Sequence, residues 1–377
     1  MLNRNAADFG QKPLLVFWET TKSCDLSCRH CRASAIKEPL PGELNYEESL
    51  NLLKSITSFE KPYPRLIITG GDPLKKEGLL DLLAEAREIG ISASITPAVT
   101  ERLKESVIDS LTDVGVRSYA LSLDGSTPES HDGLRGVEGT FRRTLEVMDM
   151  LIEKGLSVQV NTAVMKSNVN ELPRILNLLS NRKISTWAPF FLIRTGRGNE
   201  LEDLSPEEYE DVNNWMYLAS KYGVRVRTVE SPIFRRIVLQ KEQGMRYRGG
   251  DLYRQLKSET MRLMRVPGKR SKSYFVGSRD GSGVIFVSHD GYVSPSGFLP
   301  LQMENVKDKD LASIYRDNPV LRAIRTPSRY SGKCGVCEFN IICGGSRARA
   351  YYHTGDLLSS DPSCVYTPRK YKAVEAS

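Results

Sequence analysis

Residues 15–31 read LVFWETTKSCDLSCRHC: a short apolar strand running into a loop that carries Cys24, Cys28 and Cys31 at C-x3-C-x2-C spacing. Thiolates are the standard ligands of iron–sulfur clusters, and a cubane takes one per iron. Three ligands leave one iron of the cube open, and an open position separates a catalytic metal site from a closed structural one. Zinc on the same thiols would need a fourth ligand from afar, or from His30, whose adjoining position gives poor geometry. Three unrelated core thiols are the remaining alternative.

Outward from this loop, residues 14 to about 195 alternate strand and helix patterns. Strands are expected at Leu15–Thr20, Arg65–Thr69, Ser92–Thr96, Ser118–Leu123, Val158–Val164 and Thr186–Ile193. Apolar spacing near 3.6 predicts helices at Tyr46–Thr57, Leu79–Ile89, Glu101–Val114 and Thr140–Lys154. Gly90, Gly115 and Gly155 sit where helix C-caps belong. Six such units predict an α/β fold, a parallel sheet with outer helices curled as a partial (β/α)6 barrel. The cysteine loop then lies at the C-terminal end of a strand, the face on which barrels carry chemistry. Another helix is expected from Ser205 to Tyr222. Beyond Gly277 a hairpin turns at His289-Asp290-Gly291, and Leu311–Arg325 reads as one helix. The expected units are a barrel over 1–230, a basic connecting segment over 231–276 and a small α+β domain over 277–377.

At 377 residues, 40% of them hydrophobic, the chain can bury a sizeable core. It has no apolar run of membrane-spanning length and no secretory signal, so a cytoplasmic protein without a membrane partner is expected. The seven cysteines fall into the triplet and a quartet at Cys334, Cys337, Cys343 and Cys364. Two metal or cluster sites explain that split better than disulfides do. Between Ser231 and Asp280, thirteen Lys and Arg stand against four Asp and Glu, a local excess above the whole chain's +7. That segment is either a solvated insertion or an electropositive wall facing an anionic substrate.

Further polar motifs follow the strands. The second strand ends in Thr69-Gly70-Gly71-Asp72-Pro73, where paired glycines permit close backbone approach to a ligand and a carboxylate can accept from an ammonium. The fourth ends in Ser122-Leu123-Asp124-Gly125, with Ser122 and Asp124 on one side of the strand, and His131-Asp132-Gly133-Leu134-Arg135-Gly136 follows. Asn161, on the fifth, either faces the ligand or satisfies barrel backbone. His289, His353 and the Thr195-Gly196-Arg197-Gly198 turn are weaker candidates.

C-x3-C-x2-C on the loop after the first strand of a partial barrel resembles the radical S-adenosylmethionine superfamily, and these motifs extend the resemblance over most of the chain. The resemblance implies that Cys24, Cys28 and Cys31 hold a [4Fe–4S] cluster whose open iron binds the amino and carboxylate groups of S-adenosylmethionine. One electron then cleaves the sulfonium C–S bond, giving a 5′-deoxyadenosyl radical that abstracts a substrate hydrogen. Gly70, Gly71 and Asp72 resemble the family's GGEP motif, with Asp one methylene shorter than the usual Glu. Ser122, Asp124 and Arg135, with Asn161, are the other cofactor contacts implied; no catalytic acid or base is assigned.

The quartet, by spacing alone, suits either a closed cubane or structural zinc. It resembles the distal auxiliary-cluster motif of the SPASM domain, which implies a second [4Fe–4S] cluster. A full SPASM domain has further cysteines for an inner cluster. Here the hairpin reads Ser294-Pro295-Ser296-Gly297-Phe298-Leu299-Pro300, and Arg347 stands where another ligand would fall, so one auxiliary cluster is expected. The context looks closest to cofactor-biosynthesis members, including those that decarboxylate haem precursors. An anionic, tetrapyrrole-like substrate and a ferredoxin- or flavodoxin-type electron donor are thus expected. A peptide-modifying maturase is the enzymatic alternative. A zinc- and nucleic-acid-binding protein is the non-enzymatic one, although it leaves the triplet without a fourth ligand.

Overall fold

The computed structural model describes residues 9–265, 268 and 277–371; the remainder of the expected basic segment and both chain ends lie outside it. Six parallel strands form in chain order: β1 (Leu15–Glu19), β2 (Arg65–Thr69), β3 (Ala93–Ile95), β4 (Ser118–Ser122), β5 (Ser157–Val164) and β6 (Thr186–Phe191). Each pairs with the next. Period-two alternation divides their side chains. Val16, Trp18, Leu66, Ile68, Leu121, Val158 and Val160 are buried in the shared core with the helices, each worth roughly 1.5–3 kcal/mol of burial. Their neighbours in sequence face the concave side.

The helices between the strands end as expected, with Gly90, Gly115 and Gly155 in the left-handed region. The third starts later than predicted, at Glu105. Two helices the patterning left out, Pro128–Arg135 and Leu172–Ser180, follow β4 and β5. The single helix expected over Leu311–Arg325 is two, Leu311–Asp317 and Pro319–Ile324. Pro319 cannot donate a backbone hydrogen bond, and Asn318 instead caps the second helix, accepting from the amides of Val320 and Leu321.

The sheet does not stop at the barrel. The predicted hairpin forms, but its first strand, β7 (Val284–Val287), pairs parallel with β1, and β8 (Val293–Ser294) returns antiparallel. On the other edge, residues 225–229 run beside β6: the Trp187 amide donates to the Arg225 carbonyl, and the Arg227 amide to the Trp187 carbonyl. The sheet order is therefore β6-β5-β4-β3-β2-β1-β7-β8.

Over its described residues the basic segment is neither one wall nor a solvated insertion. It forms helices Ile233–Glu242 and Asp251–Leu263, and its charges go to different places. Arg236 is buried and paired with Glu210. Arg254 and Arg262 pair with Asp251 and Glu259 on the exposed side of the second helix. Arg235 and Arg279 face the barrel interior. Among the described residues no helix is long and apolar enough to cross a membrane.

Candidate active site

The cysteine loop folds back on itself: the Cys24 amide donates to the Ile36 carbonyl at 2.7 Å, and the Ile36 amide to that of Lys22 at 3.1 Å. The end of β2 presses against it. A Cβ on Gly71 would stand 2.3 Å from the Ser23 carbonyl oxygen, and one on Gly70 2.7 Å from that of Thr21. These glycines are thus required first for contact between two pieces of backbone. The Thr195–Gly198 turn clamps the loop from the other side, with Arg197 donating to the carbonyls of Cys28 (2.8 Å) and Ala35 (2.6 Å).

The three cysteines open onto a cavity of about 210 Å3, walled also by Gly70, Gly71, Ser122, Asp124, Arg135 and Asn161. Six of the seven cofactor contacts implied by the sequence are therefore gathered on one wall with the triplet. Asp72 is the exception. Its carboxylate is fully buried and accepts from the amides of Leu74 and Ala98 and the Thr100 hydroxyl, so it shapes the loop carrying Ala98, which does line the cavity.

Asp124 is the electrostatic centre of the wall. One carboxylate oxygen accepts from the Ala163 amide at 2.7 Å; the other pairs with Arg135 and lies 3.5 Å from Nε2 of His30. Its own amide donates to Nδ1 of His131. Despite burial, the guanidinium of Arg135 and the neighbouring histidines hold its carboxyl below the usual range. Burial pushes His30 down to about 4, so its ring is neutral. Arg197 lies in the turn the sequence offers as a weaker candidate, whereas His30 is a site residue that the sequence suggests only as an alternative zinc ligand.

The residues fit the cluster and ligand the resemblance implies. Burial, reinforced by Cys28, Asp72 and Cys31, pushes the Cys24 thiol up to about 12, so thiolates form here against a strongly cationic partner. Nδ1 of His30, Nε of Arg135 and Nη2 of Arg197 are buried without a partner. Such polar atoms in a ligand-sized cavity call for a polar occupant.

The quartet also converges. Cys334, Cys337, Cys343 and Cys364 line one cavity with Arg236, Gly344 and Gly345. Burial pushes Cys337 up to about 11 and Cys343 and Cys364 to about 12. Gly345 lies in the left-handed region, and a Cβ there would press on Arg347 and approach Sγ of Cys334. Arg347 is fully buried, donating to the carbonyls of Leu357 and Ser359 with Nη2 3.7 Å from Sγ of Cys334. It braces the quartet. Among the described residues no three His, Cys, Asp or Glu side chains converge tightly enough to hold a single metal ion.

A second cavity, about 470 Å3, fills the barrel lumen. Barrel interiors are normally plugged by bulky branched side chains; here many inward positions are small or polar, among them Ser94, Ser118, Ala120, Ser157 and Gln159, while Phe17, Ile67 and Phe286 line the rest. Arg32, Asn161, Phe190 and Phe298 line both cavities, so the two adjoin. Arg32 pairs with Glu19, whose other oxygen lies 3.0 Å from Nδ1 of His289. His353 ends an outer helix against Tyr352 and lines neither cavity.

Comparison with known proteins gives a consistent picture. Residues 18–179 match the model of the radical SAM superfamily. The chain is 34% identical over 367 residues to the AdoMet-dependent heme synthase of Oleidesulfovibrio alaskensis, covering 96% of this chain and 89% of that one. It is 32% identical to the enzyme of the same name from Methanosarcina barkeri, covering 95% and 98%. Among solved structures, Streptococcus suis SuiB bound to precursor peptide SuiA aligns with a TM-score of 0.69 at 17% identity, covering 94% of this chain and 76% of that one.

Proposed function

The chain belongs to the radical SAM superfamily, and from that premise we propose that it is a heme synthase acting on the propionate side chains of Fe-coproporphyrin III. In this reaction a propionate gives up one hydrogen atom from its β-carbon, then one electron and CO2, and becomes a vinyl group. The observation that carries the reading is the lumen: about 470 Å3 of space, adjoining the cysteine-triplet cavity and walled by apolar side chains such as Phe17, Ile67 and Phe286, by small polar ones, and by Arg32, Arg65, Arg227, Arg235 and Arg279 against only Glu230 and Asp280. That size and lining suit a large polycarboxylate.

A [4Fe–4S] cluster on Cys24, Cys28 and Cys31, with S-adenosylmethionine bound, supplies the radical chemistry of the superfamily. The protein's part is to orient and to exclude water. Gly70, Gly71, Ser122, Asn161, His30 and Arg135 line the cavity in which S-adenosylmethionine would lie. Asp124 holds Arg135 in place, and Asp72 acts through the Ala98 loop. Arg32, at the junction of the two cavities, keeps a carboxylate ionised there, and ionisation favours its departure as CO2. An auxiliary [4Fe–4S] cluster on Cys334, Cys337, Cys343 and Cys364 would take the substrate's electron, with a reduced ferredoxin or flavodoxin as the donor for the first cluster.

Anaerobic incubation of the iron-loaded protein with Fe-coproporphyrin III, S-adenosylmethionine and a reductant tests the proposal. Mass spectrometry should show the porphyrin losing carboxyl groups to yield heme. Unchanged porphyrin alongside released 5′-deoxyadenosine would defeat it.

A further inference from the structure

Interior arginines in this fold are nearly all spoken for. Arg349 donates to the carbonyls of Glu230 and Leu192, and Arg236 to Glu210 and Gln240. Of the arginines that line the lumen, Arg32 pairs with Glu19. Arg235 donates to the carbonyls of Ile342 and Ser278, and Arg279 to the Ile341 carbonyl and the Tyr330 hydroxyl. Arg65 donates to the Ser94 hydroxyl at 3.2 Å.

Arg227 is different. It lies on the 225–229 segment beside β6, where Val226 and Thr228 are buried and the alternate residues are not. The alternation turns Arg227 and Val229 toward the lumen, and both line it. Its side chain is exposed yet so surrounded by protein that desolvation lowers its pKa. Both hold for a side chain that opens onto an internal cavity. Among the described residues its guanidinium has no acidic partner and makes no hydrogen bond. An uncompensated cation in such a place is costly unless a ligand brings the counter-charge.

Its height in the barrel matters as much. The Arg227 amide binds the carbonyl of Trp187, the second residue of β6, and Arg65 opens β2. Both therefore stand toward the N-terminal ends of the strands, with Ser118 and Ser157. The triplet, Gly70 and Ser122 are at the C-terminal ends. Between Ser157 and Asn161, β5 climbs roughly 13 Å, enough to separate two edges of one porphyrin.

We infer that Arg227, with Arg65, forms a carboxylate-binding floor that holds the propionates the reaction leaves intact, so that the opposite edge of the porphyrin meets the S-adenosylmethionine cavity. This rests on the lumen being the porphyrin site. The floor then decides which side chains become vinyl groups, because only the upper edge reaches the radical.

The test uses the full, iron-loaded chain and Fe-coproporphyrin III, with binding followed by the Soret band. Arg227→Gln should weaken binding roughly 10- to 100-fold and give vinyl groups at mixed positions in the product. Arg227→Lys, which keeps the charge but not the bidentate fork, should recover part of the affinity. The tetramethyl ester, lacking carboxylates, should bind wild type and both variants alike. Iron content and melting temperature report folding; if the Gln variant loses either, the comparison rests on Arg227→Lys, expected about threefold to tenfold weaker than wild type. Wild-type affinity and product pattern in the folded variants would overturn the floor while leaving the heme synthase reading intact. Failure of wild type to bind Fe-coproporphyrin III would overturn both.

Discussion

Nη1 of Arg135 lies 3.6 Å from Sγ of Cys28, while Nη2 of the same guanidinium pairs with Asp124. One side chain thus joins the helix after β4 to the cysteine loop, with Asp124 as the counter-charge that makes its burial tolerable. Asp124→Asn removes that charge and leaves Arg135 buried and unpaired. The expected cost is about 3 kcal/mol of stability, together with about tenfold weaker S-adenosylmethionine binding. Thermal melts and equilibrium dialysis measure the two effects separately.

The close approach of Gly71 to Ser23 predicts a defect in cluster assembly. Gly71→Ala must displace the Ser23 carbonyl, 2.3 Å from the new Cβ, and with it the segment leading into Cys24. Iron analysis of the purified variant should show about half the wild-type content, the quartet's share of two cubanes. Gly133→Ala, where an added Cβ meets nothing within 4 Å, should keep full iron.

Cys343→Ser tests the other centre. Iron should again fall to about half, yet the electron paramagnetic resonance signal of the triplet's cluster should still change on adding S-adenosylmethionine. Porphyrin conversion should drop at least about tenfold if the quartet takes the substrate's electron. Conversion at the wild-type rate would remove that role.

Stability should also depend on pH through His131. Burial pushes its pKa from 6.5 down to about 4. Between those values the unfolded chain binds a proton that the folded chain does not, so stability falls as pH drops from 6.5 toward 4, by about 1.4 kcal/mol per unit. His30, also pushed down to about 4, adds a contribution of the same sign, so melting temperatures between pH 7 and 5 should fall with pH, and His131→Gln should remove roughly half of that dependence.

What could be read in advance was what is local in sequence. The strands, their glycine-ended helices and the two cysteine sets each announce themselves through period, cap or spacing. The helix break at Asn318–Pro319 is equally local, since the proline and the asparagine that caps the second helix stand side by side. Other features depend on distant partners. Gly71 reads as a ligand-contact glycine until Ser23 is seen behind it, and the buried carboxylate of Asp72 until its donors at Ala98 and Thr100 are located. Arg197 acts on the carbonyl of Cys28 from far along the chain. The basic run at 231–280 reads as either a solvated insertion or a wall because charge counts do not distinguish Arg236, sealed against Glu210, from Arg279 on the lumen. Nor does spacing show that β7 extends the barrel sheet beside β1.

The most direct measurement follows a single hydrogen. Fe-coproporphyrin III deuterated at the β-carbons of its propionates, incubated anaerobically with the iron-loaded protein, S-adenosylmethionine and reductant, should pass deuterium to 5′-deoxyadenosine as heme forms. Heme formation with unlabelled 5′-deoxyadenosine, or labelled porphyrin recovered intact while 5′-deoxyadenosine accumulates, would contradict the account.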